Sequence, residues 1–296
     1  MNITNRPLRA RSALPRALAG ALQWRLLLLW VVAALCSSLL TTLPAWSWLG
    51  GLLDHSLQAP AIAAGTAPTL LVESLMAEGA PLAVLSEGIW NSAILMLLLS
   101  PLLAGATVVA ARSPTPLRFG ELLRGGIGEY GPMLRLLLWS VIPLGAAAAI
   151  LAAGVGLNGK LHEEAIVAAD GEQGRNIALA VGALLLLLAH AGIEAGRGWL
   201  AADARLRSAF KAWWRGVKLL CRRPLAVLSA YLLPTVCSLL LALLAVALRQ
   251  RVDASGLGGF VLALLLGCAI AGALAWGKVA RLFALRALAE DAHARR

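Results

Sequence analysis

Six stretches of about twenty residues, apolar and free of Asp, Glu, Lys and Arg, run through this chain near 26–49, 89–111, 136–157, 176–193, 225–248 and 260–277. A helix of that length crosses the ~30 Å hydrocarbon layer of a bilayer, and a spanning segment must satisfy every backbone polar group internally. The chain therefore reads as all-α, a polytopic membrane protein in which residues 1–296 form one domain of six transmembrane helices. Composition points the same way: 60% of the 296 residues are hydrophobic and the mean hydropathy is +0.80, well above the roughly 45–50% apolar usage of soluble domains. Gly105, Gly145, Gly154, Gly182, Gly267 and Gly272 stud the apolar runs. Small residues of this kind let helices approach closely where lipid supplies no hydrophobic drive.

The net charge of +11 would suit a nucleic-acid binder, but its distribution argues otherwise. Placing the N-terminus in the cytoplasm puts 22 Lys/Arg and 6 Asp/Glu inside, and 4 Lys/Arg and 9 Asp/Glu outside. Enrichment of Lys and Arg in cytoplasmic segments is what orients spans. Both termini are thus expected to be cytoplasmic, in a bacterial inner membrane, and the charge needs no nucleic acid to explain it. Arg6, Arg9, Arg11, Arg16 and Arg25 precede LLLLWVVAALCSSLL, but that run outlasts a signal-peptide core and no small-residue cleavage site follows it. It is expected to stay as the first span. Cys36, Cys221, Cys237 and Cys268 have no metal-ligand spacing and are read as small buried apolar residues.

Basic segments flank the spans. In FKAWWRGVKLLCRRP, helical spacing sets Phe210, Trp213, Trp214, Val217, Leu220 and Cys221 on one face and Lys211, Arg215, Lys218 and Arg222 on another, with Arg223 following. This is the pattern of an interface helix, expected over 205–223, in the headgroup layer of an anionic leaflet. Similar helices are expected over 117–131, where Phe119, Leu122, Leu123, Ile127 and Tyr130 form the stripe, and over 10–24. A shift of 91 residues superimposes Phe119 on Phe210, Arg124 on Arg215, Gly125 on Gly216, Gly105 on Gly196 and Pro143 on Pro234, a weak internal repeat. Residues 54–88 hold Asp54, Glu73, Glu78 and Glu87 but no Lys or Arg, and TLLVESLMAEGAPLAVL is expected to form an outer helix ended by Gly79 and Pro81.

Chemistry is sparse. His190, Glu194 and Arg197 lie at i, i+4 and i+7 near the inner end of the fourth span. They are either a proton or substrate relay or an ion-paired end to the span. Pro101, Pro143 and Pro234 interrupt spans two, three and five, and with Tyr231 they are candidates for a cavity lining, or else packing kinks. Serines and threonines within the spans, Ser37, Ser38, Thr42 and Ser92 among them, fit hydrogen bonds across or along helices. No phosphate loop, nucleophile elbow or zinc-binding helix motif occurs, so no catalytic residue, metal or cofactor is assigned.

SPLLAGATVVAAR, FGELLRGGIGEYGPMLR and RSAFKAWWRGVKLLCRRPLAVLSAYLLP resemble segments of six-span bacterial inner-membrane proteins, and the arrangement is similar to the membrane domains attached to some glycerophosphodiester phosphodiesterases. The resemblance implies architecture and no activity. The expectation is a non-catalytic accessory or scaffold subunit touching anionic lipids, the bilayer and other membrane or cytoplasmic subunits, or alternatively a small transporter or lipid-handling protein.

Overall fold

The computed structural model describes residues 10–54, 56–63, 68–76, 81–162, 169–252 and 256–295. Every regular element among them is an α-helix: α1 Ala10–Gly20, α2 Trp24–Leu53, α3 Ala59–Ala63, α4 Pro68–Met76, α5 Leu82–Arg112, α6 Phe119–Leu161, α7 Ala169–Ala202, α8 Ala209–Arg222, α9 Pro224–Arg249 and α10 Leu257–Ala294. Six of these, α2, α5, α6, α7, α9 and α10, are long and apolar enough to cross a membrane. The protein is an all-α, multi-pass membrane protein. Arg6, Arg9, Glu78 and the expected Gly79 helix end lie outside the described residues, while the outer-loop helix itself is α4.

The helix expected over 117–131 is not a separate element. It is the start of α6, which runs 43 residues through Pro132 and Pro143, about 65 Å at 1.5 Å per residue. At the equivalent place in the repeat, the chain does break: Arg223 adopts φ −140° and ψ 62° between α8 and α9, which starts at Pro224. The residue before a proline is pushed out of the helical region by a clash with its own Cβ and N–H. Gly131 before Pro132 has no Cβ, which removes part of that clash, whereas Arg223 retains it.

The chain divides into two compact units. The first comprises residues 1–21, 104–234 and 279–296, and so takes in α1, α6, α7, α8 and the adjoining ends of α5, α9 and α10. Its core joins Val108, Met133, Leu136, Ile193, Trp199 and Leu282 to a second cluster that includes Ala191, Leu219, Val227, Leu285 and Leu288. Where these helices run beyond hydrocarbon, water is the alternative environment, and burying each large apolar side chain contributes about 1.5–3 kcal/mol.

The second unit comprises residues 22–103 and 235–278. There α2 and α5 meet through a hydrogen bond from Ser37 Oγ to the Ser92 carbonyl at 2.6 Å. Gly88 lies so close to α2 that a Cβ would stand 2.8 Å from the Leu40 carbonyl oxygen. Along α2, the Thr42 hydroxyl instead donates to the Ser38 carbonyl at 2.9 Å. Leu39, Leu43, Leu97, Leu240 and Leu264 are exposed, as side chains facing lipid must be when lipid is as apolar as they are.

Candidate functional site

Within the first unit, α7 carries a carboxylate that the fold removes from solvent. Glu194 is 2% exposed. Its Oε1 accepts from Arg197 Nη1, one turn further along α7, and its Oε2 accepts from Arg281 Nε of α10 at 3.1 Å. Both oxygens are thereby taken by guanidinium donors on two helices. A lone buried carboxylate would be prohibitively costly, so paired burial is the form in which such a group persists.

His190 belongs to the same cluster but is held elsewhere. Its Nδ1 is 2.8 Å from the Tyr231 hydroxyl of α9, and its Nε2 stands 3.9 Å from Glu194 Oε1, beyond hydrogen-bond range. The Arg281 guanidinium in turn lies 5.1 Å from the centre of the Tyr231 ring. His190, Glu194 and Arg197, grouped by sequence spacing, are thus brought together, and Arg281 and Tyr231 complete the group. Chemically this is a clamp joining α7, α9 and α10, with its carboxylate occupied by cations. Tyr231 serves the clamp. Pro101 and Pro234 are buried and Pro143 is half-buried, and none of the four candidate lining residues borders either cavity described below.

A second polar joint was not anticipated. Arg112, at the end of α5, donates from Nη1 to Glu129 at 2.7 Å, from Nη2 to the Leu200 carbonyl at 2.6 Å and from Nε to the Ala201 carbonyl at 3.1 Å. It satisfies carbonyls that the last turn of α7 leaves without helical partners. Its partners lie far along the chain, so no local spacing marks it.

The basic helix α8 is organised differently from its helical-wheel reading. Ser208 caps it, its Oγ accepting from the Lys211 amide at 3.4 Å. Its docked face is Ala212, Gly216, Leu219 and Leu220, set against α7 and α6. A Cβ on Gly216 would lie 2.5 Å from the Gly192 oxygen, and one on Gly196 would lie 3.1 Å from the Trp213 Cα. The equivalent glycines of the repeat are also closely packed, against different partners: a Cβ on Gly105 would meet the Gly126 oxygen at 2.8 Å and one on Gly125 the Val109 side chain at 2.9 Å. Trp213 turns inward to Trp139, with ring centres 5.8 Å apart. Phe210 and Trp214 are 51% and 45% exposed, and Lys218 lies 5.3 Å from the Trp214 ring centre. Aromatics and cations are therefore neighbours on the outward surface, because the small residues Ala212 and Gly216 claim the third face for docking. Lys211 and Arg222 are exposed, while Arg215 and Arg223 are half-buried and paired with Asp203 and Asp291 at 3.1 and 2.6 Å.

Cys36 and Cys221 are exposed and Cys237 and Cys268 half-buried, all with free thiols, so the first two are not the buried residues expected. Among the described residues, no group of three His, Cys, Asp or Glu is placed to hold a metal ion. No protein-family model, curated protein or solved structure matches the chain. Fold and site together define the class, a multi-pass helical membrane protein with a buried ionic clamp and a basic helix docked beside it.

Proposed function

We propose that this protein is a non-catalytic accessory or scaffold subunit of a bacterial inner membrane, both termini cytoplasmic, that meets anionic lipids and partner subunits through its basic helices. The observation that carries this reading is the outward surface of α8, where Phe210 and Trp214 stand beside Lys211, Lys218 and Arg222. Aromatic rings suit the headgroup boundary and cations suit an anionic leaflet. Occupation of Glu194 by Arg197 and Arg281 supports the non-catalytic part, since a general base or relay needs a carboxylate open to its proton. The likeness to membrane domains of glycerophosphodiester phosphodiesterases supports the architecture alone. Nucleic acid is left out because the basic bias follows topology.

Mass spectrometry of what copurifies with the tagged protein in a mild detergent tests this. A stoichiometric protein partner, together with retained anionic lipid, is the expected result. A protein that emerges alone and transports or exchanges a small molecule would overturn it.

A second reading, lipid handling or small-molecule transport, is favoured by one feature of the second unit. A groove of about 710 Å³ follows α2 and α10, lined by Trp30, Ala34, Ser38, Met96, Gly267 and Ala271, with Arg249 and Lys278 also on its border. That volume falls in the range of small-molecule sites. The Lys278 ammonium lies 5.0 Å from the Trp30 ring centre. One enriched lipid on an otherwise solitary protein is the result this reading expects.

A further inference from the structure

A cleft of about 150 Å³ opens in the first unit between α8, the α8–α9 junction and the end of α10, bordered by Trp199, Arg215, Lys218, Arg222, Arg223 and Arg295. Five cations thus converge on one small space. Two carboxylates stand nearby without bordering the cleft: Asp203 accepts from Arg215, and Asp291 pairs with Arg223 and, at 3.1 Å, with Arg295. These pairs fix three arginines in place while neutralising only part of their charge. Arg215 is further seated over Trp199, 5.5 Å from the ring centre. Among the described residues neither Lys218 nor Arg222 has a carboxylate partner.

Like charges gathered at this range repel, and the repulsion is relieved when an anion enters. The planar arginine fork matches phosphate oxygens bidentately, while lysine contributes a point charge. We propose that this cleft is a binding site for a phosphate-bearing anion, carried either by a lipid headgroup or by a soluble compound. Arg222 and Lys218 supply the unneutralised charge, and Arg215, Arg223 and Arg295, held by Asp203 and Asp291, supply pre-positioned donors. The proposal rests on the membrane-surface reading above only in its lipid-borne form.

The test uses the full-length protein in two settings. In a neutral detergent, inorganic pyrophosphate is titrated and binding is followed by tryptophan fluorescence. In phosphatidylcholine nanodiscs, with and without phosphatidic acid, retained lipid is counted by native mass spectrometry. Lys218→Gln with Arg222→Gln is compared with Lys160→Gln with Arg175→Gln, which removes the same charge from exposed positions outside both α8 and the cleft. The cleft pair is expected to weaken binding about tenfold or more, as loss of two charge-assisted contacts should, and the other pair to leave it within about twofold. Should the cleft pair fail to fold, Arg222→Gln alone, at an exposed position, carries the comparison.

Phosphatidic acid retention without a pyrophosphate response assigns the lipid source and also supports the membrane-surface reading. A pyrophosphate response in detergent assigns a soluble source and leaves the cleft standing even if the surface reading fails. Binding of neither probe, or equal weakening by both variant pairs, overturns the proposal.

Discussion

Glu194 illustrates how much packing can depend on one side chain. Glu194→Ala leaves Arg197 and Arg281 without the carboxylate that both face, and unpairing a buried charge costs about 3–5 kcal/mol. A large drop in thermal stability in detergent is therefore expected. His190→Ala removes one hydrogen bond to a half-exposed tyrosine and should cost about 1 kcal/mol. If the first variant melted like wild type, the clamp would be wrong. Glycine contacts give a graded comparison. A Cβ at position 216 meets backbone, the Gly192 oxygen and the Gly196 nitrogen, whereas at position 125 it meets only the Val109 side chain. Gly216→Ala should cost about 1–3 kcal/mol or more, because two helices must separate. Gly125→Ala should cost less, because Val109 can turn; paired denaturation curves would show the order. At this scale sequence spacing could place Glu194 beside Arg197 within one helix, but Arg281, 87 residues away, carries no local sign of its role.

Between elements, α8 is tied to the unit by Asp203, which sits just past α7. Burial works against the Asp203 carboxylate, but hydrogen bonds from Arg215 and the Arg205 amide, with the charges of Arg215 and His293, hold its pKa below the usual value. A depressed carboxylate contributes stability above its unfolded pKa of about 3.9, and the contribution is lost as pH falls through the lower folded value. The tether should thus be fully present at neutral pH and weaken only in acid below about pH 4. Asp203→Asn should cost under about 1 kcal/mol at neutral pH and match wild type in strong acid. Melting at pH 7 and pH 3 would check this, and an unchanged difference between the two proteins at both pH values would count against the tether. The outward surface of α8 gives a separate test. Phe210→Ser with Trp214→Ser should reduce association of the reconstituted protein's α8 with anionic leaflets, read as increased quencher access to Trp213. The existence of this helix was legible from the spacing of its aromatics and cations. Its docked face was not, because Ala212 and Gly216 carry almost no hydropathy signal and acquire meaning only when Gly192 and Gly196 face them.

For the whole molecule, residues bearing 22 of the Lys and Arg side chains are expected on one side of the membrane. In a protein whose native cysteines are replaced, Ser56→Cys should react only with reagent added outside, and Ser208→Cys only after the membrane is opened. The reverse pattern would invert the topology. Six apolar spans are determined by sequence alone, because crossing hydrocarbon demands long uncharged runs whatever the helices later touch. Tertiary structure decided the rest: the division into two units, the pairing of Glu194 with Arg281, and the convergence of α8 and α10 cations on one cleft. Each of these depends on residues far apart in the chain meeting at contact distance, and the free energy of such a meeting resides in the pair rather than in either residue's own neighbourhood.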